Sequence, residues 1–118
     1  VFDLIEYIKK KKKQVGLAIN PETPVNKIIK FLPELDLVFL LGVKPGWGGQ
    51  ALKNDVLNKA KLVQLKYPKL DIEIDGGVNL ENLEKIIDSG VNIIAAGTMI
   101  FGAEDIEKRI KEVNQLIK

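Results

Sequence analysis

Leu37-Val38-Phe39-Leu40-Leu41-Gly42-Val43 runs straight into Lys44-Pro45-Gly46-Trp47-Gly48-Gly49-Gln50. The first seven residues are apolar throughout, with no polar alternation. Such a run predicts a strand covered on both faces, as in parallel sheets buried under helices. The second stretch holds three glycines within 46–49, more than a simple turn needs, and glycine is entropically costly to order. Without a Cβ its backbone N–H groups can turn inward and surround an anion. A buried strand opening into such a loop is read here as a phosphate-binding βα turn.

Working outward, helix and strand patterns alternate along all 118 residues. Residues 2–13 read as a helix with Phe2, Ile5 and Ile8 as its stripe, followed by Lys9 to Lys13. Cations at a helix C-terminus suit its dipole and face water, a better reading than an anion-binding patch. Val15 to Ile19 reads as a short strand. Thr23 before Pro24 reads as a helix N-cap, with a helix over 25–32 ended by Pro33. Downstream, a helix is expected over 54–66 with Val56, Leu57, Ala60 and Val63 as core positions. Asp71 to Asp75 follows as a strand, and a helix over 80–88 capped by Asn79 and stopped by Gly90 comes next. Val91 to Ala96 is the fourth strand. A final helix over 103–117 carries the stripe Ile106, Ile110, Val113, Ile117.

Four strands, each followed by a helix, define a parallel α/β protein. Two architectures compete: an open doubly wound sheet, and a section of a (β/α)₈ TIM barrel. A full barrel needs roughly 250 residues, so this chain would supply half. Residues 1–118 are therefore read as a single partial domain. Val1 to Lys13 reads as the middle of a helix, so the chain is expected to begin inside a larger protein.

Composition narrows the chemistry. Hydrophobic residues make up 46% and charged residues 29%, a soluble globular profile. The net charge of +2 does not point to nucleic acid or a membrane surface. No secretory n-region is visible, and no apolar run approaches the roughly 20 residues that span a bilayer. Cysteine and histidine are both absent. Disulfides and thiolate metal sites are excluded, and metal or acid–base chemistry inside the chain must rest mainly on Asp and Glu.

Three glycine-bearing turns follow three successive strands: Gly46-Trp47-Gly48-Gly49, Asp75-Gly76-Gly77 and Gly97-Thr98. In a parallel α/β fold all three lie beyond the strand C-termini, on one face. Gly76-Gly77 alone is equally a tight turn; the three turns together match a barrel phosphate site. Trp47 either covers a bound sugar or packs on the rim. Lys44 either attracts phosphate or is simply exposed, and Gln50 could anchor the loop through its amide. Asp75 ends its strand at the face where catalytic residues gather. Its carboxylate is suited to moving a proton or ligating a metal, and equally to bonding loop backbone. Asp71 and Glu73 are assigned no chemistry. The many Glu and Lys on helices 54–66, 80–88 and 103–117 read as solvated faces.

These residues resemble a known family. Val43-Lys44-Pro45-Gly46-Trp47-Gly48-Gly49-Gln50 is similar to the Val-x-Pro-Gly-Phe-Gly-Gly-Gln signature of ribulose-phosphate 3-epimerases. Ile74-Asp75-Gly76-Gly77-Val78-Asn79 and Ala96-Gly97-Thr98-Met99-Ile100-Phe101-Gly102 resemble two further blocks of that family. Gly16 to Pro24 looks like its fifth strand and following turn. The blocks span the chain in the family's order and spacing.

The resemblance implies the C-terminal half of a (β/α)₈ barrel, strands five to eight, that interconverts D-ribulose 5-phosphate and D-xylulose 5-phosphate. It implies that Gly46, Trp47, Gly48, Gly49, Gly76, Gly77, Gly97 and Thr98 surround the phosphate of a ketopentose. Asp75 would contact substrate as the proton donor and also ligate a divalent metal: zinc, with iron, manganese or cobalt as alternatives. A cytoplasmic protein that is a homo-oligomer at full length is implied too. Four positions depart from the pattern. Trp47 stands for Phe and Thr98 for Ser, while Leu41 and Gly42 replace a Met and a Ser or Thr, which is expected to change a pocket wall. The family's other metal ligands, two His and an Asp that is the proton-accepting base, lie on early strands, as does a substrate-contacting Ser. None of those strands is in this chain, so the chain alone is expected not to epimerise. The readings kept beside this one are another phosphosugar epimerase, a synthase-like barrel, and a non-catalytic phosphate-binding half-barrel.

Overall fold

The computed structural model describes residues 1–46 and 50–117. Helix α1, Phe2–Lys10, leads into β1, Gly16–Ile19. Two 3₁₀ segments, Val25–Lys27 and Ile29–Glu34, precede β2, Leu37–Leu41. Then come α2, Asn54–Lys66; β3, Asp71–Asp75; α3, Leu83–Asp88; β4, Ile93–Ala95; α4, Thr98–Phe101; and α5, Ile106–Leu116.

The strands form one parallel sheet in the order β1-β2-β3-β4. Sequence order equals spatial order. A doubly wound sheet reverses its strand order at a switch point, and none occurs here. Parallel crossovers are right-handed as a rule, and between strands laid down in one direction that rule puts the connecting segments on one side. The result is an α/β fold with a four-stranded parallel sheet, consistent with half a TIM barrel.

Burial follows the side-chain alternation of the strands. Val38, Leu40, Ile72 and Ile74 point under the helices and are at most 1% exposed. They pack with Val56, Ala60 and Val63 of α2, Ile86 of α3, and Leu32 from the 3₁₀ segment. Each such side chain contributes roughly 1.5–3 kcal/mol by leaving water. The opposite face is less covered. In register across it lie Ala18, Phe39, Glu73 and Ile93, then Leu41, Asp75 and Ala95. Every one of these is half-buried or exposed.

Differences from the sequence reading have local causes. α1 stops at Lys10 rather than 13, and Lys12 takes a left-handed φ of 56° as the chain turns toward β1. The helix expected over 25–32 is two 3₁₀ segments, closed by bonds such as Ile28 N–H to Val25 and Leu35 N–H to Leu32. Pro33 lies inside the second segment instead of ending it. Its missing N–H and its steric effect on Leu32 disfavour α-helical continuation, so the chain takes the tighter turn. Thr23 offers no side-chain cap; its backbone N–H bonds to the Asn20 carbonyl at 3.0 Å, and Pro24 occupies the cap position. The last helix, expected over 103–117, is α5, Ile106–Leu116, and a short α4 at Thr98–Phe101 precedes it. Asp105 starts α5 by accepting the Lys108 N–H at 3.0 Å. The stripe expected on it is largely bare: Ile106, Ile110 and Ile117 remain 41–48% exposed.

Candidate functional site

The site is built where β2, β3 and β4 end. Gly42 closes β2 and carries no side chain to keep β3 away: a Cβ there would come within 2.2 Å of the Gly76 carbonyl oxygen. Its N–H donates to the Asp75 carbonyl at 2.7 Å, and its own carbonyl accepts the Lys53 N–H at 2.8 Å. One residue thus joins the start of the glycine loop, the end of β3 and the approach to α2. Gly42 is buried and does not itself line the cleft, whereas Leu41 does; a side chain at 42 would meet Gly76, which lines it.

Turn 76–77 needs glycine for two reasons. Gly77 sits at φ 76°, and an added Cβ would lie 2.6 Å from the Leu52 nitrogen. The turn therefore packs directly on the segment leading to α2.

Between these loops lies a cleft of about 450 Å³. Leu41 and Asp75 form its floor. Gly46 of the glycine loop, Gly76 and Gly77 after β3, and Gly97 and Thr98 at the start of α4 form its sides. The structure thus brings Gly46, Asp75, Gly76, Gly77, Gly97 and Thr98 together. Trp47, Gly48 and Gly49 lie outside the described residues. Asp75 is exposed to the cleft, and its carboxylate makes no hydrogen bond or ion pair to another described residue. Gln50 Nε2 donates to the Lys44 carbonyl at 2.8 Å, closing the glycine loop on itself. The Lys44 ammonium meets Glu22 at 3.8 Å, with both side chains more than half exposed.

One residue near the site was misjudged from sequence. Lys59, taken as part of a solvated helix face, is only 9% exposed. Its ammonium donates to the carbonyls of Asn20 and Pro21, in the turn after β1. Burial pushes its pKa below the ordinary 10.5, a shift partly opposed by the carboxylates of Asp55 and Glu22. A signal was available: Lys59 falls three residues after Val56 and four before Val63, inside the apolar stripe.

Among the described residues no group of three Asp, Glu, His or Cys side chains converges, and the chain has no His or Cys. Asp75 alone does not make a metal site. No described helix is long and apolar enough to cross a membrane.

The fold and the cleft define a parallel α/β protein with a glycine-lined cleft beyond the strand C-termini. Residues 1–101 match the ribulose-phosphate 3 epimerase family, and the chain belongs to that family. It is 39% identical over 108 residues to ribulose-phosphate 3-epimerase of Schizosaccharomyces pombe, covering 92% of this chain and 47% of that protein. It is 40% identical over 114 residues to ribulose-phosphate 3-epimerase of Bacillus subtilis, covering 92% of this chain and 52% of that protein. The chain thus spans about half the length of the curated relatives it matches. A solved thiamine phosphate pyrophosphorylase from Pyrococcus furiosus aligns with 96% of this chain and 63% of its own, at a TM-score of 0.48 and 18% identity, a likeness too slight to bear on function.

Proposed function

We propose that this chain supplies the phosphate grip and one of the two proton-transfer groups of an epimerase interconverting D-ribulose 5-phosphate and D-xylulose 5-phosphate. The observation that carries this reading is the convergence of three glycine-bearing turns and the Asp75 carboxylate on one cleft of about 450 Å³. Backbone N–H groups of Gly46, Trp47, Gly48, Gly49, Gly76, Gly77, Gly97 and Thr98 surround the phosphate. Phosphate is the inert end of the substrate, so the grip sets position and leaves the chemistry to Asp75 and a base.

In this reading the base removes the proton from the carbon beside the ketone, and the electron pair passes into an enediolate. Asp75 then returns a proton to that carbon from the opposite face. The base lies outside this chain. Asp75 is also the one donor the chain gives to a divalent metal, zinc before iron, manganese or cobalt, with the other donors outside it. The reading takes the four strands as strands five to eight of an eight-stranded barrel; their consecutive parallel order supports a barrel section. The reading also makes the protein cytoplasmic and, at full length, a homo-oligomer.

The test is turnover of D-ribulose 5-phosphate by the full polypeptide in deuterated water. Formation of D-xylulose 5-phosphate with deuterium beside the ketone is expected; no turnover and no exchange contradicts the reading. A second reading, a non-catalytic phosphate-binding module, draws on the absence of His and of any three-donor cluster among the described residues. Phosphate binding without proton exchange by the full polypeptide would favour it.

A further inference from the structure

A lysine on the apolar face of a helix requires a receiver for its charge. Val56, Lys59, Ala60 and Val63 are all buried on α2. From there the Lys59 ammonium crosses to the turn after β1 and donates to the carbonyls of Asn20, at 3.3 Å, and Pro21. The Asn20 carbonyl also accepts the Thr23 N–H, so the turn closes on an oxygen the lysine already holds. Desolvation makes an ammonium costly at such a place, and an apolar side chain of similar length would often serve stability as well. What the ammonium adds is direction: two fixed acceptors on one turn.

That turn leads to the cleft. Glu22 within it meets Lys44, the residue whose carbonyl Gln50 holds. At the other end, the glycine loop runs into α2, which begins at Asn54. The turn therefore touches the loop where it starts, α2 receives it where it ends, and Lys59 joins the two.

We propose that Lys59 is a positioning residue for the phosphate site, holding the turn at Asn20 and Pro21 against α2 so that the glycine loop keeps its phosphate-binding geometry. The inference rests on the function proposed above. Lys59 touches neither substrate nor reacting atoms. Because phosphate lies away from the carbon that changes, loss of the brace weakens binding more than chemistry.

The test compares Lys59→Met and Val63→Ala in the full polypeptide. Met keeps the reach of the side chain and removes its donors. Val63→Ala takes methyl groups from the same helix face and has no link to the turn. Lys59→Met is expected to raise KM for D-ribulose 5-phosphate roughly tenfold, as fits the loss of a charged hydrogen bond, with kcat within about threefold of wild type. The inhibition constant of inorganic phosphate rises by the same factor, while Val63→Ala keeps the wild-type KM despite a lowered unfolding midpoint. An unchanged KM in Lys59→Met, or equal rises in both variants, overturns the proposal. Should Lys59→Met not fold, Glu22→Gln removes the charge that meets Lys44 and that also favours the Lys59 ammonium, while leaving the Lys59 side chain in place. A KM rise of about twofold or more is then expected, and no rise overturns the proposal. A wild-type polypeptide that turns nothing over would sink the epimerase reading instead. Binding of inorganic phosphate, weakened by Lys59→Met or not, then decides the brace by itself.

Discussion

The Gly42 N–H donates to the Asp75 carbonyl at 2.7 Å, tying the strand that opens the glycine loop to the strand that carries the carboxylate. The bond keeps Asp75 at the floor of the cleft while its side chain stays free to face a ligand. In the proposed function, Asp75 is thus positioned through its backbone and reacts through its side chain.

Asp75→Asn keeps the shape of the side chain and removes its capacity to exchange a proton. In the full polypeptide, turnover is expected to fall by about 10²–10⁴-fold. Inhibition by inorganic phosphate should stay within a few-fold of wild type, because the grip is assigned to backbone amides. Steady-state kinetics with phosphate as competitor measures both. Retained turnover removes Asp75 from the chemistry.

Gly77→Ala places a Cβ at φ 76° against the Leu52 backbone. A loss of roughly 1–3 kcal/mol is expected, measured by urea unfolding. A variant as stable as wild type would mean that the turn does not pack on Leu52 as described.

Ile74 is fully buried between sheet and helices, whereas Leu65 on the outer face of α2 is 75% exposed. Ile74→Ala is expected to cost about 2–5 kcal/mol, and Leu65→Ala less than about 1 kcal/mol. Comparable losses would contradict the burial of Ile74 beneath the helices and the exposure of Leu65 on α2.

Lys59 gives a pH prediction. Its pKa is lowered in the folded chain, chiefly by burial, from an ordinary 10.5. Between the folded and unfolded values the unfolded state binds more protons, so stability rises with pH across that window. Urea midpoints of wild type relative to Lys59→Met should climb as pH approaches 10.5 and level off above it. A difference that stays flat or falls with pH contradicts the burial of this ammonium.

Much of the fold was legible in the sequence. The helix over 54–66 and the strand over 71–75 have the bounds read from their apolar spacing and flanking turn residues. The continuous apolar run at Leu37 identified a strand buried among helices, though it ends at Leu41 rather than Val43. Asn79 does take the Asn82 N–H at 2.9 Å, yet regular helix begins only at Leu83. Less was legible where tertiary packing decides. Pro33 could be read as a stop, but not as a residue inside a 3₁₀ segment. α4 was missed because four residues carry no period. Lys59 was misread because a lysine's composition says solvent, whereas its place in the stripe and two distant carbonyls say otherwise. The three turns and their common face could be read from the sequence; the cleft they line and the close approach of Gly42 to Gly76 behind it come from the structure.

The most direct test of the account is titration of the ¹⁵N-labelled full polypeptide with inorganic phosphate, following backbone amides. The account predicts saturable shifts together, with one dissociation constant, at Gly46, Gly76, Gly77, Gly97 and Thr98, and shifts of the same amides when D-ribulose 5-phosphate replaces inorganic phosphate. Shifts confined to one turn, or appearing only along Lys9 to Lys13, would contradict it.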